Sequence, residues 1–273
     1  MTRILIAGCG DVGSRLGLLL SQAGHQVWGL RRNPNLLPEP IEPLAADLAH
    51  PTDLEDLPAG LEAIYYTASA DARDEVHYRM AYLDGPRHLL QALAAAGQSP
   101  RRVFFTSSTS VYAQNQGQWV DEDSPAQGRG TTGALMVQGE RIWLQGHFPA
   151  TVVRLAGLYG PGRTRLIDSV RRGAVCQDQA FTNRIHVEDA ARVLAHLLTL
   201  PDPAPLYCAV DDDPATQCQV FGWLAERLKA PAPRVETTGP SNKRIRNALL
   251  KASGFTFHYP TFREGYGEML DNG

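Results

Sequence analysis

Ile4-Leu5-Ile6-Ala7-Gly8-Cys9-Gly10-Asp11-Val12-Gly13 opens with an apolar run of strand length and enters a G-x-G-x-x-G turn. A helical pattern, Val12 to Gln22, follows at once. Each glycine has a separate job in such a strand–turn–helix unit. Gly8 allows the tight turn, Gly10 lets a pyrophosphate approach the backbone, and Gly13 lets helix and strand pack closely. Asp11 and Val12 lie at the helix N-terminus, whose free N–H groups face an anion. Among 25 glycines a bare match would mean little. The βαβ context is what makes it a dinucleotide-binding expectation.

The next strand, Gln26 to Leu30, ends in Arg31-Arg32. An NAD site usually carries an acidic residue about 20 residues past the turn, accepting from the ribose hydroxyls. Arg31 stands there instead, 31 − 13 = 18 residues past Gly13. Guanidinium forks suit a 2′-phosphate, so NADP is expected ahead of NAD; a solvated basic turn is the alternative. Further strand-length runs are Ile64 to Thr67, Val103 to Thr106 and Thr151 to Leu155. Helical patterns at Glu75 to Ala96 and Thr132 to Leu144 alternate with them. That alternation predicts an α/β fold, a doubly wound parallel sheet. Beyond residue 157 arginines cluster (Arg163, Arg165, Arg171, Arg172). A helix from His186 to Leu200, a strand from Leu206 to Val210 and a helix from Cys218 to Lys229 come next.

The 273 residues are 43% hydrophobic and 20% charged, which excludes wholesale disorder and collagen-like or disulfide-scaffold classes. A net charge of −3 lacks the basic footprint of a nucleic-acid binder. No apolar stretch approaches the roughly 20 residues that span a bilayer, so no membrane partner is expected. The start carries no small-residue signal-peptide cleavage site. Cys9, Cys176, Cys208 and Cys218 form no C-x-x-C pair and no cluster with His. They read as reduced thiols of a cytoplasmic protein without a metal.

Several further segments resemble the extended short-chain dehydrogenase/reductases, the NAD-dependent epimerase/dehydratase family of sugar-nucleotide enzymes. Asp47-Leu48 is similar to its adenine-contacting Asp-Leu, and Thr67-Ala68-Ser69 to its cofactor-lining turn. Thr106-Ser107-Ser108-Thr109-Ser110-Val111-Tyr112 resembles S-S-x-x-V-Y, with Ser108 at the catalytic serine. Arg154-Leu155-Ala156-Gly157-Leu158-Tyr159-Gly160-Pro161-Gly162-Arg163 resembles R-x-x-N-V-Y-G-P-G-R, with Gly157 replacing Asn. Arg184-Ile185-His186-Val187-Glu188-Asp189-Ala190-Ala191 matches R-I-H-V-x-D-x-A. Ser241 to Ile245 and Tyr259 to Gly265 resemble an atypical bacterial branch more loosely. The resemblance implies cofactor contacts from Thr106, Ser107, Leu155, Ala156 and Gly157. It also implies substrate contacts from Tyr112, Tyr159, Arg163 and Arg184, and places Asp84 near the family's structural Asn.

One departure bears on chemistry. The family's Y-x-x-x-K needs a phenol whose pKa is lowered by a nearby ammonium. The chain has three lysines, Lys229, Lys243 and Lys251, none preceded by tyrosine four residues earlier. Aligning the family's downstream Glu with Glu140 puts Thr132 at the tyrosine place and Met136 at the lysine place. Ser108, Thr132 and Asp84 are then the candidate catalytic residues of a non-standard relay. The expected organisation is a Rossmann NADP-binding domain at 1–157, rejoined by 183–210. A smaller C-terminal substrate-binding part takes 158–182 and 211–273. The expected activity is an epimerase-like oxidoreductase acting on a small polar molecule, a nucleotide sugar being one class. The alternative is a non-catalytic NADP-binding sensor or regulatory protein. A homodimer through the helices at 75–96 and 132–144 is the assembly the resemblance implies.

Overall fold

The structure, a computed structural model, describes residues 1–271. Along the chain lie β1 (Arg3–Ala7), α1 (Asp11–Gln22), β2 (Gln26–Arg31), β3 (Glu42–Ala45), β4 (Ala63–Tyr66), α2 (Glu75–Arg79) and α3 (Gly85–Ala95). There follow β5 (Arg102–Ser108), β6 (Gln116–Val120), α4 (Gly130–Leu144), β7 (Ala150–Leu155), β8 (Gly157–Tyr159), α5 (Arg165–Arg171) and β9 (Val175–Gln177). The last are β10 (Arg184–His186), α6 (Val187–Thr199), β11 (Leu206–Ala209), α7 (Gln217–Leu228), β12 (Arg234–Glu236), β13 (Asn242–Ile245), α8 (Ala248–Ala252) and α9 (Phe262–Asp271).

Two compact units divide the chain. The first comprises Met1–Val111, Ala126–Arg154 and Ala191–Tyr207. Its framework is a seven-stranded sheet in the order β11-β7-β5-β4-β1-β2-β3, and the pairings from β5 to β3 are all parallel. The chain runs outward from β1 to β3, then returns to β4 on β1's other side. That reversal makes a switch point between β1 and β4, with a ligand crevice outside their carboxyl ends. Ile4, Leu5 and Ile6 are completely buried. Each stabilises the sheet by about 1.5–3 kcal/mol relative to exposure.

Aromatic side chains of β4 and β5 pack on both faces of the sheet, because successive residues of a strand point to opposite sides. Tyr65 stacks on Phe104 at 4.7 Å, while Tyr66 and Phe105 both pack against Trp143 of α4. The helical pattern read as continuous from Glu75 to Ala96 is interrupted by a π turn, Met80–Asp84. A π turn breaks the regular i→i−4 ladder. The buried Tyr66 hydroxyl donates to the Ala81 carbonyl there, at 2.8 Å. Gly139, a weak helix former in α4, has a reason to be glycine. A Cβ at that position would lie 2.6 Å from the Tyr82 carbonyl oxygen, so only glycine lets α4 seat on the π turn.

The second unit comprises Tyr112–Pro125, Leu155–Ala190 and Cys208–Gly273, of which Asn272 and Gly273 lie outside the described residues. Three two-stranded parallel ribbons belong to it: β8 with β10, β9 with β12, and β6 with β13. Residues 112–125, read from sequence as part of the first domain, fall here because β6 pairs with β13. Its core gathers Tyr159, Val170, Cys176, Phe221, Leu224, Phe262 and Tyr266. α7 starts at a capping box between Thr216 and Gln219.

The reduced-thiol expectation fails for two cysteines. Cys176 and Cys218 are joined in a disulfide with Cα atoms 5.0 Å apart, while Cys9 and Cys208 are free and buried. β9 and α7 bring the pair within bridging distance, which a separation of 42 residues does not reveal. Among the described residues no helix is long and apolar enough to cross a membrane. No cluster there could hold a metal ion.

Candidate functional site

The glycine turn departs from the carboxyl end of β1. Gly8 has φ +77°, and the N–H groups of Gly8 and Cys9 both donate to the Leu30 carbonyl at 3.0 and 2.9 Å. A Cβ on Gly8 would meet the Ala68 backbone at 2.4 Å, and one on Gly13 would meet Thr67 Oγ1 at 2.9 Å. Both positions therefore require glycine for packing. Gly10 differs: its Cβ would find only the Gly8 carbonyl, at 3.9 Å. Its outer side is open, as a backbone that receives a ligand must be. Gly10 also caps α1 without any side-chain hydrogen bond. The first N–H groups of α1 are thus left for an anion, and the residues fit a pyrophosphate.

Thr67 supports the turn from β4's end. Its hydroxyl donates to the Gly8 carbonyl at 3.0 Å and its N–H to the Ala7 carbonyl at 2.8 Å. Burial pushes the Cys9 thiol up to about 11, so it stays protonated at neutral pH and is no nucleophile. Asp11 is bound by Arg15 at 2.9 Å, which offsets its charge at the helix N-terminus.

At β2's end the two arginines part company. Arg31 makes no side-chain hydrogen bond or ion pair among the described residues. Arg32 is held by Asp71 through two bonds of 2.8 and 2.9 Å. Asp47 accepts from Ala49 N–H, and the Leu48 carbonyl lies 2.8 Å from His88 Nδ1, fixing the Asp-Leu turn. Ser69 is exposed beyond Ala68.

β5 carries the serine segment. The Thr106 hydroxyl donates to the Tyr66 carbonyl at 3.1 Å, and the buried Ser107 hydroxyl donates to Glu140 at 2.6 Å. Ser108 Oγ is half-buried and accepts from Ser110 N–H at 3.1 Å. The Ser110 hydroxyl in turn donates to Met136 Sδ at 3.6 Å. Met136 is thus brought to the serine segment, with Thr132 one helical turn before it on the same face of α4. Asp84 is placed differently, between Arg79 at 3.3 Å and Arg87 at 3.2 Å. Its carboxylate holds two surface guanidinium groups.

Sequence reading missed a buried ion pair behind this segment. Glu140 on α4 accepts from Arg154 Nε at 2.9 Å and Nη2 at 2.7 Å, with side chains only 4% and 7% exposed. Glu140 therefore ties α4 to β5 through Ser107 and to β7 through Arg154.

In the second unit the three residues that the resemblance offers to substrate, Tyr112, Tyr159 and Arg184, are all buried. Tyr112 is fully buried, and its hydroxyl donates to the Asp121 carbonyl at 2.5 Å. Tyr159 is buried against His186 and Tyr266, with its hydroxyl 3.3 Å from the Thr261 carbonyl. Arg184 is buried too, bonded to the Thr182 hydroxyl and lying over the Phe262 ring. Each meets a fixed packing partner inside the unit, which a motif match does not reveal. Arg163 remains half-buried. Leu155 and Ala156 are buried, and Gly157 is exposed with its N–H donating to the Asn183 carbonyl. Asp211, which no motif signalled, is buried with both carboxyl oxygens unpartnered beside Arg184 Nη1, itself unpartnered. Burial holds the Asp211 pKa well above the usual carboxylate range.

This fold and this turn define a class. The sequence profile of the NAD dependent epimerase/dehydratase family matches residues 4–207, and the chain belongs to that family. Protein YeeZ of Escherichia coli K12 is 28% identical, over 95% of this chain and 97% of its own. A solved structure from Methylobacillus flagellatus is 34% identical with a TM-score of 0.85, covering 99% of this chain and 98% of that one. Its own assignment as an NAD-dependent epimerase/dehydratase is provisional. Human epimerase family protein SDR39U1, solved with NADPH, has a TM-score of 0.79 at 20% identity, covering both chains fully.

Proposed function

We propose that this chain is an NADP-dependent, epimerase-like oxidoreductase acting on a small polar substrate, with nucleotide sugars the leading class. The observation that carries the cofactor choice is Arg31. Its guanidinium has no hydrogen-bond or ion-pair partner among the described residues and stands at the end of β2, where a carboxylate would accept from NAD's ribose. Gly8 to Gly13 would cradle the pyrophosphate, Asp47-Leu48 the adenine and Thr67-Ala68-Ser69 the neighbouring ribose. The bound nicotinamide would supply hydride chemistry. Ser108 would orient the substrate through its hydroxyl, and Thr132 lies on the same helix face as the Met136 that meets the serine segment. Val76 and Leu144, exposed on α2 and α4, support an apolar face for a homodimer.

A second reading, an NADP-binding sensor without catalysis, is favoured by one specific observation. Met136, at the place of the missing ammonium, is only 3% exposed and brings no charge to the serine segment.

The cofactor choice is tested by Arg31→Asp. Losing a charge-assisted hydrogen bond costs about 1.5–3 kcal/mol, and the new carboxylate repels a 2′-phosphate. Calorimetry should find NADPH binding weakened by more than about tenfold and the preference moved toward NADH. Wild type binding NADH more tightly than NADPH would reverse the assignment.

A further inference from the structure

The ion pair between Arg32 and Asp71 joins the end of β2 to the loop after β4. In the sheet those strands flank β1 on either side, so the pair spans the carboxyl end from which the glycine turn departs. Its geometry is fork to fork: Nη1 to Oδ2 at 2.8 Å and Nη2 to Oδ1 at 2.9 Å. Both side chains face solvent, Arg32 63% and Asp71 55% exposed. An exposed pair of this kind adds little to fold stability, about 0–1 kcal/mol. It is readily exchanged for another partner.

A phosphate presents the same pair of acceptor oxygens to a guanidinium as a carboxylate does. Asp71 therefore occupies the two N–H directions that a 2′-phosphate at the end of β2 would use, while Arg31, next in the chain to Arg32, has no ion-pair partner among the described residues. We propose that Asp71 is a built-in competitor for the 2′-phosphate, a specificity-determining residue that holds Arg32 until the phosphate displaces it. No covalent bond is made or broken; the two hydrogen bonds to Asp71 are exchanged for two to the phosphate on the same fork. Asp71 thereby lowers the affinity for phosphorylated dinucleotide and leaves the unphosphorylated one untouched. The inference rests on the NADP reading given above.

The test uses 2′,5′-ADP and 5′-ADP, fragments that carry the adenosine end alone, titrated calorimetrically into the full-length wild type, Asp71→Asn and Asp71→Ala. Both variants should bind 2′,5′-ADP about fivefold more tightly than wild type, the gain from releasing an exposed ion pair of about 1 kcal/mol. Binding of 5′-ADP should not change. Unchanged or weaker 2′,5′-ADP binding in both variants overturns the proposal, because Asp71 would then position Arg32 or do nothing to it. Wild type with no preference for 2′,5′-ADP over 5′-ADP overturns the NADP reading itself, and the competitor with it.

Discussion

Glu140→Ala should lower the unfolding free energy by about 3–5 kcal/mol, because it takes the carboxylate away from a guanidinium that is nearly buried. Arg154 is only 7% exposed at its side chain, and Glu140 accepts from its Nε and Nη2. The Ser107 hydroxyl loses its acceptor at the same time. For a chain of this size a loss of that order lowers the melting temperature by about 10 °C. The double variant Glu140→Leu with Arg154→Met removes both charges and should recover much of the loss, since an apolar pair of similar volume often replaces a buried ion pair at little cost. Thermal unfolding of the two variants beside wild type checks both statements. A melting point for Glu140→Ala within 2 °C of wild type, roughly what 1 kcal/mol or less would give, contradicts the role assigned to the pair.

Turnover of UDP-glucose by the purified protein should fall about 10²–10⁴-fold below that of a relative with the tyrosine–lysine pair, whichever nicotinamide dinucleotide is supplied. The reason is on α4. Thr132 offers an alcohol, a far weaker acid than a phenol, and Met136 offers a thioether that accepts from Ser110 in place of an ammonium. Lys229, Lys243 and Lys251 all belong to the second unit, and none is on α4. Positioning by Ser108, as proposed, would not replace that proton transfer. A coupled assay of C4 epimerisation in both directions measures it. Turnover comparable with an enzyme that has the pair would show that another acid–base group acts here.

What could be read from sequence and what could not divides by range. The glycine turn is local: its strand, its three glycines and its helix lie within 22 residues, and each glycine's reason appears in the structure. Arg31 was visible for the same reason, as the residue that ends β2. β3 was legible only through the resemblance that puts a strand ahead of Asp47, because Glu42-Pro43-Leu44-Ala45 is a mostly exposed edge strand whose proline breaks the usual pattern. The π turn at Met80–Asp84 keeps helical spacing and leaves no mark on periodicity. Long-range pairings escaped altogether. β6 with β13, Cys176 with Cys218 and Glu140 with Arg154 depend on where the chain returns. Glu140 was singled out by resemblance, yet its partners on β5 and β7 were not. Tyr112, Tyr159 and Arg184 were legible as motif residues, but their burial and their packing partners were not.

The account stands on the glycine turn as the seat of a dinucleotide, and Gly10→Val tests that most directly. A Cβ at Gly10 meets nothing closer than 3.9 Å, so the substitution is expected to leave the fold largely intact. The branched side chain would fill the space through which a pyrophosphate approaches. NADPH titrated calorimetrically into wild type and variant should bind the first and fail to bind the second, with melting temperatures of the free proteins within about 2 °C. Equal NADPH affinity in the two proteins, or no binding of either NADPH or NADH by wild type, contradicts the account.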